Sequence, residues 1–200
     1  MKEKAQKLTQ TFARAIIQPV MFMAVAGLII AFAAIFKMKQ MPQFLQTIGN
    51  GLFTVLNGAA IGQLSVIFCV GIATAIAKKK KGDAAILSIT TYLIFLYANN
   101  FWLTFTHKLA KPGPQGLYGT GKYMILGIQA IDMGVFLGII IGCLVGYFVN
   151  KFGNVKFHRY FAPYEGTKFA YVLLIFTTII LAIVMTYVWP PINHLVNMAV

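Results

Sequence analysis

The sequence predicts an all-α integral membrane protein of about five transmembrane helices with accompanying interfacial amphipathic helices, and three observations carry that prediction. Hydrophobic residues fill 59% of the 200 positions and charged residues only 10%, where a soluble domain carries about 25% charge. Apolar runs near the ~20 residues needed to cross hydrocarbon recur along the chain. The cations avoid those runs and gather in short clusters beside them, as topogenic charges do. A chain so short of charge cannot coat a water-facing surface. One membrane domain over 15–200 is therefore expected behind a cytoplasmic basic tail, 1–14, with no separate soluble module. The net charge of +13 belongs to this topogenic pattern and does not point to nucleic acid.

The first span is expected at 16–36, after the basic residues Lys2, Lys4, Lys7 and Arg14. Ala31-Phe32-Ala33 imitates a signal-peptidase site, but the apolar stretch starts well before it and the chain stays membranous afterwards, so the span is read as uncleaved. Residues 41–54 set Phe44, Leu45, Ile48, Leu52 and Phe53 among Gln, Asn and Gly, the pattern of a helix lying in the interface. The second span is placed at 55–77, ending on Lys78 to Lys81. The third is placed at 84–105, with Asn99, Asn100 and Trp102 marking its exit; Trp anchors at headgroup level. A polar loop rich in Pro and Gly follows, from Thr106 to about Gln129. The fourth span is placed at 133–150. A basic amphipathic linker covers Lys151 to Lys168, and the fifth span 169–189 is ended by Pro190-Pro191. No internal repeat stands out.

Orientation follows from the cations. An inside N-terminus puts twelve of them inside: Lys2, Lys4, Lys7, Arg14, Lys78 to Lys81, Lys151, Lys156, Arg159 and Lys168. Five fall outside: Lys37, Lys39, Lys108, Lys111 and Lys122. The positive-inside rule then places the N-terminus in the cytoplasm.

Several motifs reduce to structural readings. Gly116 to Lys122 satisfies most of a G-x-x-x-x-G-K phosphate loop, but Tyr123 stands where Ser or Thr should hold Mg²⁺, and the loop falls outside; nucleotide binding is rejected. Gly134, Gly138, Gly142 and Gly146 recur every four residues and read as a helix-packing stripe rather than a sugar path, since glycine offers no side-chain hydrogen bond. Asp132 is expected to N-cap the fourth span, with sugar binding as its alternative role. Cys69 and Cys143 lie in apolar runs as small hydrophobes. His107, His158 and His194 lack ligand spacing, so no metal and no cofactor is assigned. Glu3, Asp83, Asp132 and Glu165 all lie at or beyond span ends, whereas ion-coupled carriers keep an ionisable residue at mid-membrane depth.

Ile125 to Ile140 (Ile-Leu-Gly-Ile-Gln-Ala-Ile-Asp-Met-Gly-Val-Phe-Leu-Gly-Ile-Ile) resembles a signature of enzyme IIC, the membrane subunit of the bacterial sugar phosphotransferase system, in its glucose, maltose and α-glucoside superfamily. Arg14 to Val20 with Ala26-Gly27, Phe68 to Ala73 before the lysines, and Trp189-Pro190-Pro191 follow in the family's order. Gly166-Thr167-Lys168-Phe169 sits where glucose-type members carry a Gly-Lys-Arg-Phe-Val-Pro-like segment, and its Gly-Thr pair looks closer to α-glucoside members.

The resemblance implies the N-terminal scaffold half of a ten-helix translocator in the bacterial cell membrane. The sugar-binding glutamate of a Gly-Ile-Thr-Glu-Pro segment would lie in the other half. It further implies phosphorylated enzyme IIB as partner, enzyme IIA upstream, a sugar substrate and a homodimer in lipid. The chain alone is expected to be incomplete and to carry no catalytic residue. A non-transporting scaffold is the alternative function. Gln129, Asp132 and Lys168 are the candidate substrate-binding residues.

Overall fold

The computed structural model describes residues 2–111, 113, 117, 119–157 and 164–198. Helix α1, Lys2–Phe36, absorbs the basic segment expected as a separate tail: the helix runs unbroken from those residues into the first apolar run. A turn at 37–42 reverses the chain into α2, Gln43–Leu56. Gly49 makes that reversal close, because a Cβ there would stand 2.7 Å from the Phe36 Cβ and 2.9 Å from the Ala33 carbonyl oxygen.

The second span departs from expectation. In place of a continuous helix over 55–77, α2 passes into a π-helical turn at Asn57–Ile61, and the chain breaks at Gly62-Gln63 before α3, Leu64–Ile76. The two parts are bent by 48°. At 1.5 Å per residue α3 is about 20 Å long, short of the ~30 Å hydrocarbon thickness. By length it is unable to cross without the bent segment before it. An apolar run does not disclose this break; the Asn-Gly-Ala-Ala stretch and Gly62 supply it.

Helix α4, Lys81–Phe105, begins inside the lysine run, with Lys80 held at φ 57° just before it. The expected irregular loop contains an antiparallel hairpin, β1 Lys122–Ile125 and β2 Ile128–Ile131, in the register Lys122 with Ile131 and Ile125 with Ile128. Its two-residue turn, Leu126-Gly127, has both φ values positive, at 51° and 79°, as a type I′ hairpin requires. Helix α5, Val135–Phe152, replaces the expected 133–150. Helix α6, Thr167–Met198, continues through Pro190 and Pro191, which were expected to stop it. Two missing amide donors interrupt the hydrogen-bond ladder, but the chain stays helical through them, because the proline φ near −65° is itself helical. Part of the expected basic linker, 158–163, lies outside the described residues, as do Gly116 and Tyr118 of the loop.

By length and composition, residues 13–36, 81–105, 135–152 and 167–193 are each able to cross a membrane, and the count rises to five when the bent pair is taken as one broken span. The main core gathers α3, α4, the hairpin, α5 and α6, with Tyr92, Phe95, Leu96, Leu137, Ile141 and Leu174 buried. Helix α1 stands at the edge: Ala15 packs with Phe68 and Ile72, while Met21, Phe22, Val25 and Leu28 face outward. Helices α3 and α5 run side by side in the same direction. Cβ atoms at Gly138, Gly142 and Gly146 would meet Ser65, Cys69 and Ile76 in turn.

Candidate functional site

A cleft of about 1910 Å³ opens where α4 and α6 end, with the hairpin as one wall. Its architecture starts from Asn99, fully buried on α4. The Asn99 side-chain amide donates to the Ala182 carbonyl (3.1 Å) and to Thr186 Oγ1 (3.0 Å), both on α6. Its Oδ1 accepts from the Ile131 amide of β2 at 3.0 Å. One side chain thus ties two helices to the hairpin inside the packed core, where an unmade hydrogen bond is costly. By sequence Asn99 marks a span exit, but a polar pair inside an apolar helix is also the signal of an interhelical bond.

Asn100 continues the wall, its Nδ2 donating to the Gln129 carbonyl at 2.8 Å. Gln129 lies in β2 opposite Met124, and its Nε2 donates to the Ala110 carbonyl at 3.0 Å. The Gln129 main chain and side chain therefore hold the loop and helix around the cleft.

Asp132 also lines the cleft, but not as the expected N-cap. Gly134 occupies the cap position at φ 51°, and Asp132 Oδ1 accepts from the Gly134 amide at 3.1 Å, two residues upstream of the cap. The Asp132 amide donates to the Gly121 carbonyl (3.0 Å) and its carbonyl accepts from Trp189 Nε1 (2.6 Å). The carboxylate is exposed toward the cleft. Gly134 consequently leaves the packing stripe: its positive φ forms the turn, and a Cβ there would meet nothing within 4 Å.

Aromatic surfaces and cations complete the lining. Trp189 packs against Phe136 with ring centroids 5.7 Å apart. Behind the lining, Trp102 Nε1 donates to the Tyr187 hydroxyl at 3.2 Å, and Lys108 Nζ, which does line the cleft, lies 4.6 Å from the centre of the Tyr187 ring. Tyr97, His107, Lys108 and Asn193 also border the cavity. An exposed carboxylate, amides and aromatic faces suit a neutral polyhydroxyl ligand. Lys122, the last residue of the phosphate-loop look-alike, starts a strand, so no helix N-terminus stands there to hold phosphate.

The structure brings Gln129 and Asp132 together and leaves Lys168 at the opposite end of the bundle. Lys168 borders a smaller cavity of about 420 Å³ with Lys80, Lys156 and Glu165. Along α6, Lys168 and Trp189 are about 30 Å apart at 1.5 Å per residue. His158 lies outside the described residues, and so does the side chain of His194.

Comparison with known proteins bears on what this arrangement serves. The chain is 30% identical over 195 residues to the PTS system glucose-specific EIICBA component of Staphylococcus saprophyticus subsp. saprophyticus. That alignment covers 94% of this chain and 28% of the relative, so the chain spans little more than a quarter of the relative's length. The model of the family "Phosphotransferase system, EIIC" matches residues 13–200. This multi-pass membrane chain therefore belongs to the enzyme IIC family of the phosphotransferase system.

Proposed function

We propose that the chain is the N-terminal scaffold portion of a sugar-translocating membrane subunit, acting on a glucose-type or α-glucoside sugar such as maltose. The observation that carries this reading is the extent of the family match, residues 13–200, which takes in every span. The cleft adds a surface with the chemistry of sugar capture: Asp132, Asn193 and Lys108 offer hydrogen bonds, and Trp189 and Tyr97 offer faces. Asp132 and Gln129 belong to this capture surface, and Gln129 acts by positioning its wall. Lys168, at the far end, belongs to the face where the phosphoryl donor arrives.

In this reading the bundle sits in the bacterial plasma membrane as a homodimer, with a cytoplasmic N-terminus. The sugar enters at the cleft end and is phosphorylated at the lysine-rich end by phosphorylated enzyme IIB, itself charged by enzyme IIA. The phosphate's charge makes return through hydrocarbon prohibitively costly, so trapping needs no coupling ion. None of this chain's own residues has a catalytic part.

The test reconstitutes the purified chain in vesicles with energised IIA and IIB proteins and labelled glucose or maltose. The chain alone is expected to give neither saturable uptake nor sugar phosphate, and co-expression of a matching second half is expected to restore both. Activity of the chain alone overturns the incompleteness. Failure of every matching second half replaces the transporter reading with that of a non-transporting scaffold.

A further inference from the structure

Two glycines make room for a lysine ammonium between the end of α5 and the start of α6. Gly166 stands at φ 71°, and its amide donates to the Val155 carbonyl at 2.9 Å, closing the two segments on each other. Phe157 packs against Phe169 of α6 with ring centroids 4.9 Å apart, a second tie between them. Lys80 reaches in from the turn before α4, its Nζ donating to the Gly153 carbonyl at 2.6 Å. A Cβ on Gly166 would stand 3.3 Å from that Nζ and 3.2 Å from the same carbonyl oxygen, so a side chain there would crowd the ammonium. The Lys80 main chain holds φ 57°, a left-handed conformation that costs a non-glycine residue about 1–2 kcal/mol. A lysine serving only as a topogenic charge needs neither the inward reach nor that backbone.

The cavity beside this contact, of about 420 Å³, is bordered by Lys80, Lys156 and Lys168 together with Asn154, Glu165 and Thr167. Three cations face one carboxylate in a space near the lower end of the ~300–1,000 Å³ typical of small-molecule sites. We propose that this cavity binds the phosphate monoester of a hexose. The phosphate, close to doubly charged at neutral pH, is the group the lysines select. An ammonium has three donors, and Lys80 gives one of them to Gly153, which leaves two for a ligand. Glu165, Asn154 and Thr167 supply partners for sugar hydroxyls, and a carboxylate among them favours a hydroxylated ester over bare phosphate. The volume suits a single hexose ring and not a diacyl lipid. The proposal rests on the sugar-translocator reading, in which the phosphorylated product leaves from this end, and it names where that product is held.

The experiment measures equilibrium binding of radiolabelled glucose 6-phosphate to the purified full chain in neutral detergent. Inorganic phosphate, glucose and phosphatidylglycerol serve as competitors. Saturable binding is expected, with no displacement by glucose or the lipid and competition by inorganic phosphate about tenfold weaker, since it lacks the hydroxyls. K80Q, K156Q and K168Q, each measured singly, should weaken binding by about fivefold or more, as loss of a charge-assisted hydrogen bond at a partly exposed site does. K39Q, on the turn after α1, should leave it unchanged. Should one lysine variant fail to fold, the other two carry the test. Absence of saturable binding by the parent overturns the proposal, as does undiminished binding in the lysine variants. Equal competition by inorganic phosphate overturns the sugar ester in favour of a bare anion, and displacement by phosphatidylglycerol overturns it in favour of a lipid headgroup. Binding alongside failed transport reconstitution keeps this site and sinks only the transporter reading; restored transport without binding does the reverse.

Discussion

Replacing Gly138 with alanine tests whether the contact between α3 and α5 holds this bundle together. An alanine Cβ would overlap the Ser65 carbonyl oxygen and stand 2.9 Å from the Ser65 carbonyl carbon and 3.1 Å from the Cys69 nitrogen. All three atoms are main chain, so no side chain is able to rotate away, and α3 and α5 must separate by about 1 Å. A gap of that size forfeits a quarter to a half of each dispersion contact it opens. It also breaks the bond from the Gly138 amide to Ser65 Oγ, 3.0 Å long, a hydrogen bond worth about 0.5–1.5 kcal/mol.

Alanine returns roughly 1 kcal/mol of helix propensity, which leaves a net loss of about 1–3 kcal/mol from the forced packing. G142A should lose less, since its nearest clash is one carbonyl oxygen, that of Cys69 at 2.8 Å. Gly27, with nothing within 4 Å of its Cβ position, serves as the control, and G27A should be neutral or slightly stabilising. Reversible unfolding in mixed detergent, followed by circular dichroism, gives the three stabilities. Equal stability of G138A and G27A would refute the reasoning.

Three further outcomes are expected. Asn99→Leu strands the buried Ile131 amide and should destabilise by about 2 kcal/mol, against about 0.6 kcal/mol for Thr186→Val; equal losses in the same unfolding assay would count against the Asn99 keystone. Leu126→Asn relieves a non-glycine residue at φ 51° and should stabilise the hairpin by about 1 kcal/mol, so a lowered midpoint would show that the leucine serves some contact beyond the turn. In a Cys69→Ala, Cys143→Ala background of sealed cells, an impermeant thiol reagent should label a cysteine at Thr120 and spare one at Gly82; the reverse pattern would invert the topology.

Much of the fold is legible because hydrocarbon imposes a simple rule on sequence: crossing segments are apolar and their backbone bonds are satisfied within the helix. Four of the apolar runs overlap α1, α4, α5 and α6, although α1 begins 14 residues before its run and α6 ends 9 residues after its own. The lysine clusters marked the ends of those runs, and Ile125 to Ile140 carried the family resemblance that the match over 13–200 shows. Four-residue spacing puts Gly138, Gly142 and Gly146 on one helical face, and that face lies against α3.

Contacts between distant segments had to come from the tertiary structure. The break at Gly62-Gln63 is invisible to hydropathy, since the residues on both sides of it remain apolar. The Leu126-Gly127 turn lacks the usual Asn-Gly signal, so the hairpin passed for an irregular loop. Gln129 and Asp132 share a cleft because Asn99 draws α6 and β2 onto α4, while Lys168 is carried to the other end by the length of α6. The sequence by itself determined which segments enter the bilayer, because partition depends on composition along one run. The tertiary structure decided which polar groups meet, because a buried amide is satisfied by whichever partner packing brings within about 3 Å.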